Sequence, residues 1–324
     1  MNCRGCLKEN KEEYCRPCLK ELFDGKKVRS VLTFNSHYKE ESELFQKHTN
    51  HISISGVQVK YSLRLEENEL HLTEQGGQYI LKPVPTGTFK NLDQAPANEH
   101  LTMQIAKQAF KLSVPPNGLT YFKDGSPAYL VKRFDQTPER KLNQEDFAQI
   151  AEMTSDTHGK NYKYDFSYEE IAALIKKHIP TYRYELEKYF RLILFNHLIS
   201  NGDAHLKNFS AIQSANGDYL LTPCYDLLCT RVHSPYESEM ALDLFKTGLS
   251  NTYETYGYYT YRDFCDFGIK IGIKESRVEK IITEFSKSNP IVYSLIAKSF
   301  LNDELKAQYK KHYDGKLRQL NMRD

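Results

Sequence analysis

Tryptophan is absent from this chain, so aromatic packing falls to its 23 Tyr and 17 Phe. No apolar run approaches the ~20 residues that a membrane-spanning helix needs. Neither sign of charge prevails: Lys plus Arg is 44 and Asp plus Glu is 42. Bulk electrostatics therefore give no general pull toward nucleic acid or an anionic membrane, and neither is expected as a direct partner. The N-terminus is polar and charged and lacks the apolar region of a signal peptide. The odd count of 7 Cys does not suit a fully paired secreted framework. Together these absences lead us to expect a soluble, cytoplasmic protein. A length of 324 residues gives room for two lobes, or for one domain with a small appendage.

What is present turns on residues 191–226. Tyr189–Ile199 is almost wholly apolar and too long for a typical strand, which predicts a helix buried on every side. Asn201-Gly202 predicts its stop. The polar string Asp203-Ala204-His205-Leu206-Lys207-Asn208 follows at once. Alternation then predicts a strand over Phe209–Gln213, a turn at Asn216-Gly217-Asp218 and a strand over Tyr219–Thr222. Such a hairpin returns Asp226 to the neighbourhood of Asp203 and Asn208. Phosphoryl transfer needs a base for the incoming hydroxyl and oxygen ligands for magnesium. Asp203 and Asn208 stand in D-x-x-x-x-N spacing as base and Mg²⁺ ligand, and Asp226 supplies the second Mg²⁺ ligand. The spacing alone arises by chance, and a helix-capping loop with surface acids would share it. The ordered series of buried helix, loop, hairpin and Asp is the stronger signal. Asp266-Phe267-Gly268 spells another kinase triplet, but it sits between helical segments with no returning hairpin and is set aside.

Residues 1–25 hold four of the cysteines as C-x2-C, eight residues, C-x2-C. Two such turns can point Cys3, Cys6, Cys15 and Cys18 at one tetrahedral Zn²⁺. A disulfide pair or a redox C-x2-C is the competing reading; a reducing compartment disfavours the first. All four positions would be protein ligands, so the zinc would be structural. A short helix over Cys18–Phe23 is expected next, then a strand over 28–34 and a charged helix around 38–47. Residues 52–65 predict strand–turn–strand with Gly56 at the turn, where a loop could cover ATP phosphates with backbone N–H groups. An ordinary hairpin with exposed serines fits the same letters.

Lys82 ends an apolar strand over 78–83, and a buried ammonium wants an anion. Glu99, in the first turn of a helix over Ala97–Leu112, is a candidate partner, although a first-turn Glu also complements the helix dipole. A hairpin over 119–134 ends in Tyr-Leu-Val-Lys-Arg-Phe-Asp, the place for a hinge between lobes. From Asn143 the chain reads as helical. A polar, Tyr-rich loop spans 155–166, and Ser167 with Glu170 forms a capping box. The final helix, Asp303–Leu320, is basic, most simply a solvated face.

SISGVQVK, YILKP, YLVKRFD, NGDAHLKNFS and LTPCYDL together resemble the HipA family of bacterial serine/threonine kinases, the toxins of toxin–antitoxin pairs. The resemblance covers roughly residues 50–310. It implies an α+β, bilobed protein-kinase-like fold with a small β-rich lobe and a larger helical lobe. With the zinc-knuckle-like segment at 1–25, the lobes would span 26–135 and 136–324. It implies ATP and Mg²⁺ as cofactors. The phosphate loop would include Ser55, Gly56, Val57, Gln58 and Lys60, with autophosphorylation at Ser53 or Ser55 moving it out of the ATP site. A phosphate there adds about −1.5 to −2 charge. Lys82 would clamp the phosphates. Lys132 to Phe134 would meet adenine through the backbone, with Phe134 lining the pocket, and Tyr225 would lie against the nucleotide. Lys207 would face the transferred phosphate. His205 would lie near nucleotide or else fix its loop by a hydrogen bond.

The stretch at 28–49 is too short for the additional N-terminal subdomain of longer relatives, so the chain is similar to the short HipT form. By resemblance the substrate is a protein, such as an aminoacyl-tRNA synthetase. The partners are a HipB-like DNA-binding antitoxin and a small HipS-like protein. Two other classes stay open: a small-molecule phosphotransferase acting on an antibiotic or sugar, and an inactive kinase-fold binding module.

Overall fold

The computed structural model describes residues 1–36, 59–137, 139–214 and 216–323. The charged helix expected around 38–47, and Ser53, Ser55, Gly56, Val57 and Gln58, lie outside the described residues. The first half of the chain runs α1 (Arg16–Phe23), β1 (Tyr61–Glu66), β2 (Glu69–Leu72), β3 (Tyr79–Pro83), α2 (Ala95–Gln108), β4 (Asn117–Tyr121) and β5 (Pro127–Lys132). Its strands form an antiparallel sheet in the order β2-β1-β3-β5-β4. There follow β6 (Gln144–Asp146), α3 (Phe147–Ile150), α4 (Ser155–His158), α5 (Tyr168–His178), α6 (Tyr182–Leu198), β7 (Ser210–Gln213) and β8 (Tyr219–Leu221). The helices α7 (Asn251–Tyr256), α8 (Tyr261–Lys270), α9 (Glu275–Phe285), α10 (Pro290–Lys298) and α11 (Asp303–Leu320) complete the fold. Strands β6, β7 and β8 make a second antiparallel sheet of three. The result is the expected α+β arrangement, a β-rich lobe followed by a helical one.

Two cores hold it. Leu63, Leu81 and Leu130 of the larger sheet pack with Tyr14 and Phe23, so the cysteine-bearing N-terminus is built onto this sheet. The second core centres on α6, where Leu186, Phe190, Ile193, Leu194 and Leu198 are buried at helical spacing. Fully burying one such side chain contributes about 1.5–3 kcal/mol. Helix α2 lies in sequence between β3 and β4 of the small-lobe sheet, yet its Leu101, Ile105 and Ala106 belong to this second core. It lies between the lobes and touches both.

Several local expectations change. Helix α6 ends at Leu198, and the left-handed residue that turns the chain is Ser200 (φ 56°), not Gly202. Gly202 is needed for close approach instead: a Cβ there would stand 2.9 Å from the Ser238 carbonyl oxygen. Residues 28–34 form one parallel bridge, Val31 with Tyr121, rather than a strand. Strand β2 follows the strand–turn–strand expected over 52–65 and lies outside it. The helix expected from Asn143 starts only at Phe147, because Gln144–Asp146 pairs with β7 and Asp146 then caps α3. The 155–166 loop carries α4 and a 3₁₀ turn at Tyr162–Tyr164. Helix α11 buries Leu305, Tyr309, Tyr313 and Lys316 beside its charged residues. The Asp266-Phe267-Gly268 triplet lies inside α8.

The Ser167 capping box forms as expected: the Ser167 hydroxyl accepts from the Glu170 amide at 3.2 Å, and the Glu170 carboxylate accepts from the Ser167 amide at 3.1 Å. Ser167→Ala should lower unfolding free energy by about 1 kcal/mol. Urea titration would show this as a lower midpoint at unchanged slope.

Candidate active site

Strand β3 sends Tyr79 and Leu81 into the small-lobe core and Lys82 to the opposite side. Lys82 is 5% exposed. Its Nζ donates to Glu99 Oε1 of α2 at 2.6 Å and also to Asp226 Oδ1. Lys60 Nζ stands 4.0 Å from the other Asp226 oxygen. Burial works against the Lys82 ammonium, but Asp226 and then Glu99 outweigh it and hold the group above its ordinary value. Burial would likewise raise the Asp226 carboxyl; Lys82 and then Lys60 overcome this and hold it well below the usual carboxylate range. Glu99 has the weaker share of the same lysine, and burial lifts it to about 7. Asp226 sits at φ 54°, a left-handed conformation that Asp tolerates better than most residues.

The loop after α6 is tied down at nearly every residue. The Gly202 amide donates to Thr230 Oγ1 at 2.7 Å, the Asp203 amide to Asn201 Oδ1 at 3.3 Å and Tyr168 Oη to the Ala204 carbonyl at 3.0 Å. The Asn208 amide closes the loop on the His205 carbonyl at 2.9 Å. Tyr225 joins this loop to the Asp226 segment, donating to the Lys207 carbonyl at 3.0 Å. The Lys207 ammonium lies 3.9 Å from Asp146. His205 is buried 4.0 Å from Asp203, and burial lowers it to about 4 against the opposing pull of Asp203. Among the described residues its ring nitrogens find no hydrogen-bond partner, so the ring holds the loop by packing rather than by the bond the sequence left open. Its edge meets the Tyr164 ring at 5.2 Å.

A cavity of about 210 Å³ opens beside these groups, lined by Ile80, Val131, Phe134 and Tyr225 together with Lys60, Lys82 and Asp226. Phe134 and Tyr225 stack at 6.1 Å. The Lys132 and Arg133 amides are committed to the Pro116 and Gln78 carbonyls at 2.8 Å each. The Lys132 ammonium pairs with Asp24 at 2.6 Å. Hinge contact with a base through those two amides is therefore closed off. A divalent cation fits the donor set nearby. Asn208 Oδ1 is buried without a hydrogen-bond partner among the described residues, and the Asp226 carboxylate, whose segment is tied to the same loop through Tyr225, is held ionised.

Cys3, Cys6, Cys15 and Cys18 form a second cluster, with all four sulfurs within 4.8 Å of one another. Cys6 and Cys15 are 3.7 Å apart, close to the ~3.8 Å edge of a tetrahedron with Zn–S about 2.3 Å. All seven cysteines are free thiols, so no disulfide competes.

Two residues escaped the sequence reading. Tyr164 Oη donates to Asp203 Oδ1 at 2.5 Å, and Thr230 Oγ1 bridges the Gly202 amide and the Glu237 carboxylate. Tyr164 is one of several tyrosines in a polar loop, and Thr230 belongs to no pattern; only spatial proximity picks them out.

The profile described as HipA-like C-terminal domain matches residues 52–290. A protein named "Putative kinase" from Haemophilus influenzae is 30% identical over 323 residues, spanning 89% of this chain and 92% of that one. Among solved structures, the HipA chain of a Shewanella oneidensis toxin–antitoxin complex with HipB and operator DNA superposes with a TM-score of 0.62. It is 21% identical, and the match covers 82% of this chain and 63% of that chain. The Helicobacter pylori proinflammatory kinase CtkA gives a TM-score of 0.51 at 16% identity, over 80% of this chain and 93% of that one. These likenesses show a protein-kinase-like fold.

Glu99 generates a pH signature. Its folded pKa of about 7 lies above the ordinary carboxyl value of 4.5, so between those values the folded chain holds the extra proton. Stability from this group is fully present below about 4.5 and falls as pH rises toward 7. Glu99→Gln should flatten that part of the profile, measured by chemical denaturation at stepped pH.

Proposed function

The chain belongs to the HipA-like C-terminal domain family, and from that premise we propose that it is an ATP-dependent kinase acting on serine or threonine of a protein. The observation that carries this is the buried Lys82 ammonium shared by Glu99 and Asp226, the latter in a segment that Tyr225 ties to the loop carrying Asp203 and Asn208. In this reading the acceptor hydroxyl oxygen attacks the γ-phosphorus of ATP and its proton passes to Asp203. The bond from γ-phosphorus to the bridging oxygen breaks, and ADP leaves. Lys82 neutralises the α- and β-phosphates, with Lys60 adding charge from the edge of the phosphate loop, and Lys207 faces the transferred group. Phe134 and Tyr225 enclose the base, and His205 backs the nucleotide site from its buried position. Asn208 and Asp226 would hold magnesium, which, when bound, neutralises phosphate charge. Lys82 keeps Asp226 ionised and ready for that role.

The regulatory reading rests on the S-x-S motif. Phosphate on Ser53 or Ser55 would put negative charge where ATP phosphates belong. A HipB-like antitoxin is proposed from the Shewanella complex. An aminoacyl-tRNA synthetase substrate, and a small HipS-like protein as third component, follow from the family resemblance. A structural zinc ion is proposed at Cys3, Cys6, Cys15 and Cys18 on the spacing of their sulfurs.

Intact mass and phosphosite mapping after incubation with Mg-ATP test the kinase reading. Phosphate should appear on Ser53 or Ser55, and Asp203→Asn should slow its appearance by at least about a hundredfold. ATP bound without any transfer would favour an inactive binding module. Transfer to an aminoglycoside or sugar, with none to protein, would favour a small-molecule phosphotransferase. Elemental analysis should find about one zinc per chain, lost in Cys6→Ser.

A further inference from the structure

Helix α2 is buried on nearly every side, from Ala95 to Ala106. A buried helix with polar side chains must find partners for them. On α2, His100, Gln104 and Gln108 recur every four residues and so form one stripe. The partners of that stripe lie in and beside the first cysteine turn. His100 Nε2 donates to the Gly5 carbonyl and Gln108 Nε2 to the Cys6 carbonyl, each at 2.9 Å. Gln104 Nε2 donates to Asn117 Oδ1 at 2.9 Å, two residues before Leu119, whose amide holds the Arg4 carbonyl at 2.8 Å. A second stripe holds the helix to the large lobe, through Asn98 on the Cys229 carbonyl and Thr102 on Tyr309 Oη, both at 2.9 Å. Glu99, with its carboxylate 2.6 Å from Lys82, lies between the two attachments.

The cysteine turn itself is shaped by the sulfur cluster. The Gly5 and Cys15 amides donate to Cys3 Sγ at 3.4 and 3.2 Å. A side chain at Gly5 would place its Cβ 2.6 Å from Cys18 Sγ. The carbonyls that receive His100 and Gln108 therefore stand where the four sulfurs gather.

We infer that the four-cysteine centre positions Glu99: an occupied centre fixes the Gly5 and Cys6 carbonyls, these fix α2 through His100 and Gln108, and α2 then presents Glu99 to Lys82. His100 is a positioning residue, remote from the reacting atoms. The inference rests on the kinase and zinc reading above. It adds that metal occupancy of the N-terminal centre governs how well the nucleotide site is assembled. An emptied centre leaves buried donors on α2 without fixed acceptors, which shifts the helix or loosens it.

The test uses the full chain in three forms beside the zinc-loaded parent: zinc-stripped parent, His100→Leu and His100→Gln. Hydrogen exchange of α2 peptides, affinity for the non-hydrolysable analogue AMP-PNP, and zinc content are measured on each, together with phosphoryl transfer. Stripped parent and His100→Leu should exchange faster in α2 and bind the analogue about tenfold more weakly. His100→Gln, which keeps a donor for the Gly5 carbonyl, should recover most of both at full zinc content. Unchanged α2 protection and affinity in zinc-replete His100→Leu overturn the inference. If His100→Leu loses zinc and unfolds, the stripped parent decides, and a protected α2 with unweakened binding there overturns it. If α2 and analogue binding respond as expected while no form transfers phosphate, the kinase reading fails and the positioning role stands.

Discussion

The Lys82 ammonium is shared by carboxylates from two other parts of the chain, and the site depends on that sharing. Removing a charge from water costs several kcal/mol, repaid only by close and well-aligned partners. Lys82 comes from β3, Glu99 from α2 and Asp226 from the segment after the β7–β8 hairpin. Satisfying one ammonium therefore fixes three elements relative to one another. Two acids on one cation also cannot be equally content, and here Asp226 is held ionised while Glu99 is lifted to about 7. Both carboxylates line the cavity, and the asymmetry makes the more exposed one, Asp226, the stronger anion and the more deeply buried Glu99 the more easily protonated.

The large-lobe side of the site is fixed by a different kind of interaction. Its loop has little regular structure, so its backbone groups must find partners one by one. Thr230, Asn201, Tyr168 and Tyr225 supply them, and Thr230 is held in turn by Glu237. Burial raises Glu237 to about 7 despite its bond from Thr230. The segment after Asp226 thus supports the loop that carries Asp203, and the proposed metal ligand and the proposed base are not independent features of the fold.

The elements that place Asp203, Asn208 and Asp226 were legible because each leaves a periodic trace. Helix α6 is apolar through its buried turns, β7 and β8 alternate around Asn216-Gly217, and the sulfur spacing at the N-terminus has few uses. The pair Lys82–Glu99 was legible as well, because an ammonium at the end of an apolar strand needs a nearby anion. What the sequence concealed depends on partners distant along the chain. Gln144–Asp146 is a strand only because β7 lies beside it, in letters that also suit a helix start. Ser200 takes the left-handed turn one step before the Asn201-Gly202 pair that advertises one, because Gly202 is kept for contact with Ser238. The docking of the cysteine turn on α2 had no signature beyond polar residues at four-residue spacing in a helix whose burial could not be known in advance.

Tyr164 shows how such a hidden contact bears on the chemistry. Burial, then the negative charge of Asp203, raises its phenol above the ordinary value, so it stays protonated and donates. An ionised carboxylate has lone pairs for about four donors. A phenol on Oδ1 therefore fixes the rotamer of Asp203 without exhausting its capacity to accept a second hydroxyl. The His205 ring packs against the Tyr164 ring in a T-shaped contact, with centroids 5.2 Å apart. The side chain proposed to receive the proton is thus oriented by a tyrosine from a short 3₁₀ turn, much as Lys82 is oriented by its two carboxylates.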